Sequence, residues 1–150
     1  MPSHWEIKTG VDDGAEDIVT DRLVEYNKAQ TAAIRDRFKP QNLRSRPLAA
    51  YAYADGRLVG GATASTVDVW RWLTIDTMWV EDSVRRNGLG RRLLTAVEDE
   101  ARRRGCDWSK LNTWDFQAPA FYASCGYVEY GREVDHPPGH TNFLMRKDLG

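Results

Sequence analysis

The sequence is poor in cysteine, with only Cys106 and Cys125 among 150 residues. Two cysteines form at most one disulfide, and these two do not stand at the spacing of a structural metal site. A disulfide-stapled secreted scaffold and a cysteine-rich zinc module are therefore excluded. A reduced protein of the cytoplasm is the simplest interpretation, with both cysteines as small apolar residues near helix ends.

Long apolar runs and a large net charge are also missing. No hydrophobic stretch approaches the roughly 20 residues that span a bilayer, and the N-terminus lacks a signal-peptide pattern. The formal net charge is −1, so no global field attracts nucleic acid or an anionic membrane. His136 and His140 are four residues apart, but Pro137 and Pro138 prevent the helix that would align them as metal ligands. We expect no membrane partner, no nucleic-acid partner and no metal.

The composition, 41% hydrophobic and 29% charged, is typical of one globular domain spanning residues 1–150. Helical periodicity and capping residues predict helices over 15–30, 32–38, 88–104 and 118–124. Short apolar or alternating segments predict strands over 5–8, 48–54, 57–69, 72–80, 108–114, 127–134 and 141–146. The dipeptide Asp55-Gly56 predicts a hairpin, and residues 72–114 predict a strand–helix–strand unit with a parallel strand pair.

The segment from Met78 to Leu94 joins the end of an apolar strand, a polar turn and the start of an amphipathic helix. Gly88 and Gly90 at the helix start let backbone N–H groups converge, and the positive end of the helix dipole favours an anion. Four guanidinium groups add positive charge at the same place: Arg85, Arg86, Arg91 and Arg92. The pattern predicts a pyrophosphate-binding loop, although such a glycine pair also occurs in simple tight turns.

Two motifs give the chain a family resemblance. Arg85-x-x-Gly88-x-Gly90, preceded by Met78-Trp79-Val80, resembles motif A of the GNAT superfamily of acyl-CoA-dependent N-acyltransferases. The run from Ala118 to Tyr127, with Phe121 and Tyr122 at its centre, resembles motif B of that superfamily. The resemblance covers most of the chain after residue 47.

The resemblance implies an α/β (α+β) fold: a mixed, mostly antiparallel central sheet of about six to seven strands, with a central βαβ unit and flanking helices. It also implies acetyl-CoA as co-substrate, and it is compatible with a homodimer. The co-substrate would contact Met78, Trp79, Val80, Arg85, Arg86, Asn87, Gly88, Leu89, Gly90 and Arg91.

Acetyl transfer from a thioester to an amine needs an uncharged amine, donors for the oxyanion and a proton for the departing thiolate. The resemblance implies Tyr122 as the general acid, with a core aromatic residue as the alternative interpretation, and a backbone N–H near Val80 as the oxyanion donor. Asp76 is the candidate base or counter-charge, and apolar neighbours would raise its pKa. Glu81 is the alternative base. Asp115 stands where many members of the superfamily carry Asn, so its role is open.

Two side-chain patterns complete the analysis. Glu98, Asp99 and Glu100 each precede an arginine by four residues, which predicts a solvated helix face laced with ion pairs. Five of the six tryptophans fall between Trp70 and Trp114, either as walls of a small pocket or as core residues.

Three functions fit these observations. The first is direct acetyl transfer from acetyl-CoA to a primary amine of a small molecule. The second keeps the chemistry but takes a protein N-terminus or lysine as acceptor. The third is an acyl-CoA-binding module without turnover, which retention of Tyr122 disfavours.

Overall fold

The computed structural model describes residues 4–150, which separate into two units, 4–39 and Pro40–Gly150. The first unit contains two helices, α1 (Asp13–Gln30) and α2 (Ala32–Arg37). Each begins at a side-chain cap, which the sequence predicts for the first helix only. The carboxylate of Asp12 accepts from the Ala15 N–H at 2.9 Å, and the Thr31 hydroxyl accepts from the Ile34 N–H at 3.1 Å.

The predicted strand over residues 5–8 is wrong, because this segment has no regular structure. Trp5 and Ile7 are almost fully exposed, and Glu6 forms an ion pair with Lys8. A strand is stable only when a neighbour accepts its backbone hydrogen bonds, and four residues of alternating character do not reveal whether one exists.

The second unit is built on a mixed sheet, as the resemblance implies. Its described residues form six strands in the spatial order β1-β2-β3-β4-β6-β5. The strands are β1 (Arg46–Ala54), β2 (Arg57–Val67), β3 (Trp72–Val80), β4 (Trp108–Trp114), β5 (Val128–Val134) and β6 (Thr141–Asp148). Helix α3 (Leu89–Arg103) joins β3 to β4, and helix α4 (Pro119–Ser124) precedes β5. None of the helices in residues 4–150 has the length and hydrophobicity needed to cross a bilayer.

Strands β1, β2 and β3 form an antiparallel meander that contains the predicted hairpin. The β1–β2 turn is Asp55-Gly56, with φ values of 49° and 76°, which is the left-handed pair that a tight hairpin needs. Helix α3 then crosses one face of the sheet. Its apolar stripe packs on a core that includes Ala62, Leu73, Ile75 and Leu111, and Gly105 follows its last turn with a φ of 86°.

The parallel contact between β3 and β4 is short. It pairs Trp72, Leu73 and Thr74 with Trp108, Ser109 and Lys110, and the described strands have no further pairing beyond that point. Residues 75–80 and 111–114 therefore diverge and leave a cleft between them. This separation determines where the site lies.

One charged residue of α3 contradicts the sequence prediction. The spacing of Glu98 from Arg102 predicts a solvated ion pair; the pair forms at 3.8 Å, but Glu98 is buried, with only 2% of its surface exposed. Its carboxylate accepts from the Lys147 ammonium at 2.8 Å and from the Tyr127 hydroxyl at 3.1 Å. Position 98 lies one turn from Leu94 on the apolar stripe of the helix, so it faces the sheet rather than water.

Candidate active site

The cleft between the diverging ends of β3 and β4 has a volume of about 890 Å³. Its walls come from four elements, namely the end of β3, the start of α3, the end of β4 and α4. The residues that matter most for the chemistry are Asp76, Met78, Val80, Arg85, Gly88, Gly90, Trp114, Phe116 and Tyr122. The cleft thus unites the two motifs on which the family resemblance rests.

The start of α3 is an open N-terminus. Gly88 is its N-cap with a φ of 76°, and no side chain of the described residues caps the helix. The first N–H groups of the helix are consequently available to an anion. No atom of the described residues lies within 4 Å of the position that a Gly88 Cβ would occupy, so it is the backbone angle that requires glycine here.

Gly90 is required for a different reason. A Cβ at this position would lie 3.2 Å from Cζ of Phe121, which is closer than ordinary packing allows. The missing side chain therefore lets the first turn of α3 approach α4, which carries Tyr122.

The arginines of the loop differ in what they contact. Arg85 donates from Nε to the Val80 carbonyl at 2.9 Å and forms an ion pair with Asp82 at 2.8 Å. Arg91 donates to the backbone carbonyl and the hydroxyl of Ser124, both at 3.2 Å. Of the four arginines predicted at the loop, Arg85, Arg86 and Arg91 line the cleft, whereas Arg92 does not.

The backbone of β3 presents donors to the cleft. Glu81 donates from its N–H to the Val59 carbonyl at 2.9 Å, one residue beyond the Gly60–Val80 pair on each strand. In an antiparallel ladder this makes Gly60–Val80 the pair whose amide groups point away from each other. The N–H groups of Val80, and of Met78 two residues earlier, therefore face away from β2 and toward the unpaired side of β3.

A β-bulge at Asp76 changes the direction of side chains along β3. Thr77 pairs with Thr63 and Ile75 pairs with Ala64, so Asp76 has no partner on β2. The sequence predicts Asp76 and Met78 on one face by strict alternation, which is wrong because the extra residue shifts the period. Met78 instead lies with Ile75 on the face that packs against the core.

Tyr122 lies between the core and the cleft. Its hydroxyl donates to the sulfur of Met78 at 3.7 Å, and its ring packs edge-on against Phe121 and Tyr127, with centroids 5.1 Å and 5.9 Å away. Burial raises the pKa of its phenol above the ordinary value of 10.0. Tyr122 is therefore protonated at neutral pH and able to donate.

The two candidate bases lie in opposite environments. Within residues 4–150 the Asp76 carboxylate has no hydrogen bond or ion pair, and burial raises its pKa above 3.8. Glu81 accepts from Arg57 and, at 2.6 Å, from the Ser83 hydroxyl. These hydrogen bonds lower its pKa to about 2. Asp76 is thus the better proton acceptor.

Asp115 is engaged by the protein itself. Its carboxylate accepts from the Thr141 N–H at 3.0 Å and contacts Nδ1 of His140 at 3.0 Å. The hydrogen bond from Thr141 is the main reason why its pKa lies below 3.8. The residue joins the end of β4 to the start of β6.

Four of the six tryptophans divide between two places. Trp72 and Trp108 stack on each other with centroids 5.5 Å apart, and the Arg146 guanidinium lies 4.9 Å from the Trp72 ring. Trp79 and Trp114 line the cleft instead. The sequence analysis does not single out Phe116, which lines the cleft and stacks on Trp114. Its place two residues after Trp114, the end of a predicted strand, was the available signal.

Metal chemistry has no support in the described structure. Among residues 4–150, no three His, Cys, Asp or Glu side chains lie close enough together to hold a metal ion.

Comparison with known proteins agrees with this geometry. The profile of the acetyltransferase (GNAT) family matches residues 15–127. A blasticidin-S acetyltransferase of Streptomyces morookaense is 40% identical over 133 residues, covering 85% of this chain and 96% of its own. The crystal structure of an acetyltransferase from Bacillus cereus superposes with a TM-score of 0.71 at 29% identity, over 96% of this chain and 97% of the other.

A third protein with a similar fold was solved as a complex with coenzyme A. An aminoglycoside 6′-N-acetyltransferase solved with coenzyme A has a TM-score of 0.64 at 19% identity, over 89% of this chain and 92% of its own. The mixed six-stranded sheet, the cleft and the sequence matches lead to one conclusion: the chain belongs to the GNAT family and is an acyl-CoA-dependent N-acetyltransferase.

Proposed function

We propose that the protein transfers an acetyl group from acetyl-CoA directly to a primary amine of a small molecule. The observation that carries this proposal is the meeting, in one cleft, of the open N-terminus of α3, the protonated Tyr122 and the unpaired Asp76. The blasticidin-S acetyltransferase among its relatives is named for a small-molecule antibiotic, which supports the same class of acceptor.

Acetyl-CoA fits the residues of the cleft. The first N–H groups of α3 and the nearby Arg85, Arg86 and Arg91 are suited to a pyrophosphate, since an uncapped helix start and guanidinium groups both bind phosphate oxygens. The N–H groups of Met78 and Val80 face the unpaired side of β3, where they can hold an extended amide chain or the carbonyl oxygen of the thioester.

The proposed step needs three proton transfers. An alkylammonium, with an ordinary pKa of roughly 10, first loses a proton to Asp76, directly or through water. The free amine then attacks the thioester carbonyl carbon and a carbon–nitrogen bond forms, after which the nitrogen releases its second proton to water. The carbon–sulfur bond breaks as Tyr122 protonates the departing thiolate, and Tyr122 is reprotonated from solvent.

We further propose that residues 1–150 act as one acetyltransferase domain, because the family match begins in α1 and ends after α4. Four further predictions remain untested: a cytoplasmic location, a homodimer, the absence of a nucleic-acid partner and the absence of a membrane partner.

The release of free CoA from acetyl-CoA tests the proposed function. We expect release to depend on an added small amine and the acetylated amine to appear in equal amount by mass spectrometry. A panel of peptides with free N-termini and lysines serves as the comparison. Turnover with peptides alone would refute the small-molecule acceptor, and no turnover with any amine would refute the catalytic proposal.

A further inference from the structure

A pair of stacked aromatic rings, Phe116 exposed and Trp114 half-buried, forms part of the cleft wall. Trp114 and Phe116 lie with ring planes 7° apart and centroids at 6.1 Å. Phe116 is 61% exposed and lines the cleft together with Trp114. We call Trp114 and Phe116 the aromatic shelf.

The shelf is attached to the opposite face of the sheet from α3. Side chains alternate along β4, and Leu111 and Thr113 are buried on the face that packs against the helix. Trp114 therefore projects from the other face, and Phe116 stacks on it. Tyr122 and the start of α3 belong to the first face, so the shelf and the proposed phosphate loop line the cleft from opposite sides of the sheet.

Neighbouring groups hold the shelf in place. The Trp114 indole donates from Nε1 to the His136 carbonyl at 2.6 Å. The His140 ring packs edge-on against Phe116 at 5.0 Å with an interplanar angle of 85°, and Asp115 holds His140. Exposure of the large apolar ring of Phe116 to water is unfavourable in free energy. Because its neighbours already hold the ring in one orientation, a ligand that binds to it loses little further conformational entropy.

The chemistry of the cleft restricts what the shelf binds. Asp76 lines the same cleft and, when ionised, attracts a cationic amine, whereas the exposed part of the Phe116 ring gains most from another flat ring. A flexible aliphatic chain gains only ordinary apolar contact there. A ligand with an amine and a planar ring satisfies both groups.

We infer that the aromatic shelf binds a planar ring of the acceptor, so that the preferred substrates are amines carried on an aromatic or heteroaromatic group. The inference rests on the proposed function, because it places the acceptor amine in the same cleft. The inference specifies the class of acceptor, which the proposed acetylation of a small-molecule amine leaves open.

A matched pair of amines tests the inference. 2-Phenylethylamine and 2-cyclohexylethylamine have the same charge and chain, but only the first carries a flat aromatic ring. We expect wild-type kcat/KM to favour 2-phenylethylamine by about tenfold, the range of one stacking contact. Phe116→Leu should abolish this preference through the KM for 2-phenylethylamine, while Phe116→Tyr should keep it.

The control is Tyr53→Ala, which removes a comparably exposed aromatic ring of β1 that does not line the cleft. It should leave both amines unchanged. Equal kcat/KM for the two amines in the wild type, or a Phe116→Leu effect on the KM of acetyl-CoA instead of the amine, would overturn the inference. Circular dichroism confirms that each variant is folded.

Binding separates this inference from the proposed function. Calorimetry of the two amines in the presence of CoA measures the ring preference without turnover. If 2-phenylethylamine binds more tightly but neither amine is acetylated, the proposed function is refuted and the ring-binding role of the aromatic shelf stands. If both amines are acetylated without any preference, the proposed function stands and the ring-binding role is refuted. Absence of both turnover and binding would refute the shelf as well.

Discussion

Tyr122 has the protonation state and the position of an acid. Its ring is held between Phe121 and Tyr127, and its hydroxyl reaches the Met78 sulfur at the cleft wall. Tyr122→Phe keeps the ring but removes the proton, so we expect kcat to fall by roughly 10²–10⁴-fold with little change in acetyl-CoA affinity. Steady-state kinetics and calorimetry measure the two effects.

Tyr130→Phe, at an exposed position of β5, is the control. A Tyr122→Phe variant with wild-type kcat would refute the role of Tyr122 as general acid.

Asp76 is tested by the pH dependence of the reaction. Burial raises its pKa, so a base at this position loses activity on acidification at a higher pH than an ordinary aspartate would. Asp76→Asn should remove this acidic limb from the profile of kcat/KM and lower kcat at neutral pH. If Asp76 only attracts the cation, the same change raises the amine KM and leaves kcat near its original value.

Glu81→Gln is the comparison for that experiment. The pKa of Glu81 is about 2, so it is ionised throughout the working range and its replacement should leave the acidic limb in place. Loss of the limb in Glu81→Gln, with retention in Asp76→Asn, would reverse the assignment.

Individual residues also show which contacts can be predicted from the sequence and which cannot. Tyr122 and Asp76 are predicted from motif and residue type, which are local signals, and both line the cleft. The engagement of Asp115 by Thr141 and His140 depends on β6 lying beside β4, which no local pattern reveals. The place of Glu98 on the apolar stripe of α3 can be read from the sequence, but its partner cannot, since Lys147 is 49 residues away.

At the scale of elements, the start of α3 carries the clearest test. Gly88 has a left-handed backbone angle and open space around its Cβ position, so charge rather than crowding decides the effect of a side chain. Gly88→Glu places a carboxylate at the anion-binding end of the helix, and we expect acetyl-CoA affinity to fall at least tenfold. Calorimetry measures the affinity.

Gly88→Asn is the matched control, because asparagine tolerates the left-handed conformation and carries no charge. It should keep most of the affinity. Equal losses in the two variants would show that the backbone conformation, not the anion site, is what Gly88 supplies, and unchanged affinity in a folded Gly88→Glu protein would contradict the phosphate loop.

Elements with strong local signals are predicted best. Strands β3 and β4 have the bounds that the sequence predicts, because apolar residues and turn residues delimit both. The bulge at Asp76 and the early divergence of β3 from β4 are absent from the prediction. Both arise from how neighbouring strands pair, and they, rather than the strand bounds, create the cleft.

At the scale of the whole molecule, one buried polar network ties α3 to distant strands. Glu98 of α3 contacts Lys147 of β6 and the hydroxyl of Tyr127, which lies 2.7 Å from the Ser109 hydroxyl of β4. Glu98 is buried, whereas the Lys147 side chain keeps partial access to water, so the loss is that of a hydrogen bond to a charged group rather than of a fully buried ion pair. We expect Glu98→Gln to lower the free energy of unfolding by about 2 kcal/mol, as measured by urea denaturation.

Asp99→Asn is the control for this prediction. Asp99 forms an exposed ion pair with Arg102 on the outer face of α3, and such pairs contribute about 0–1 kcal/mol. A Glu98→Gln protein as stable as the Asp99→Asn protein would contradict the role of the network.

The short β3–β4 contact has a consequence for solvent exchange. Along the end of β3, the amides of Trp79 and Glu81 point toward β2, whereas those of Met78 and Val80 point toward a side on which the described strands offer no acceptor. Deuterium should therefore replace hydrogen slowly and rapidly at alternate residues of a single strand. Bound acetyl-CoA should slow the rapid positions alone, so that the strand reports, amide by amide, whether the cleft is filled.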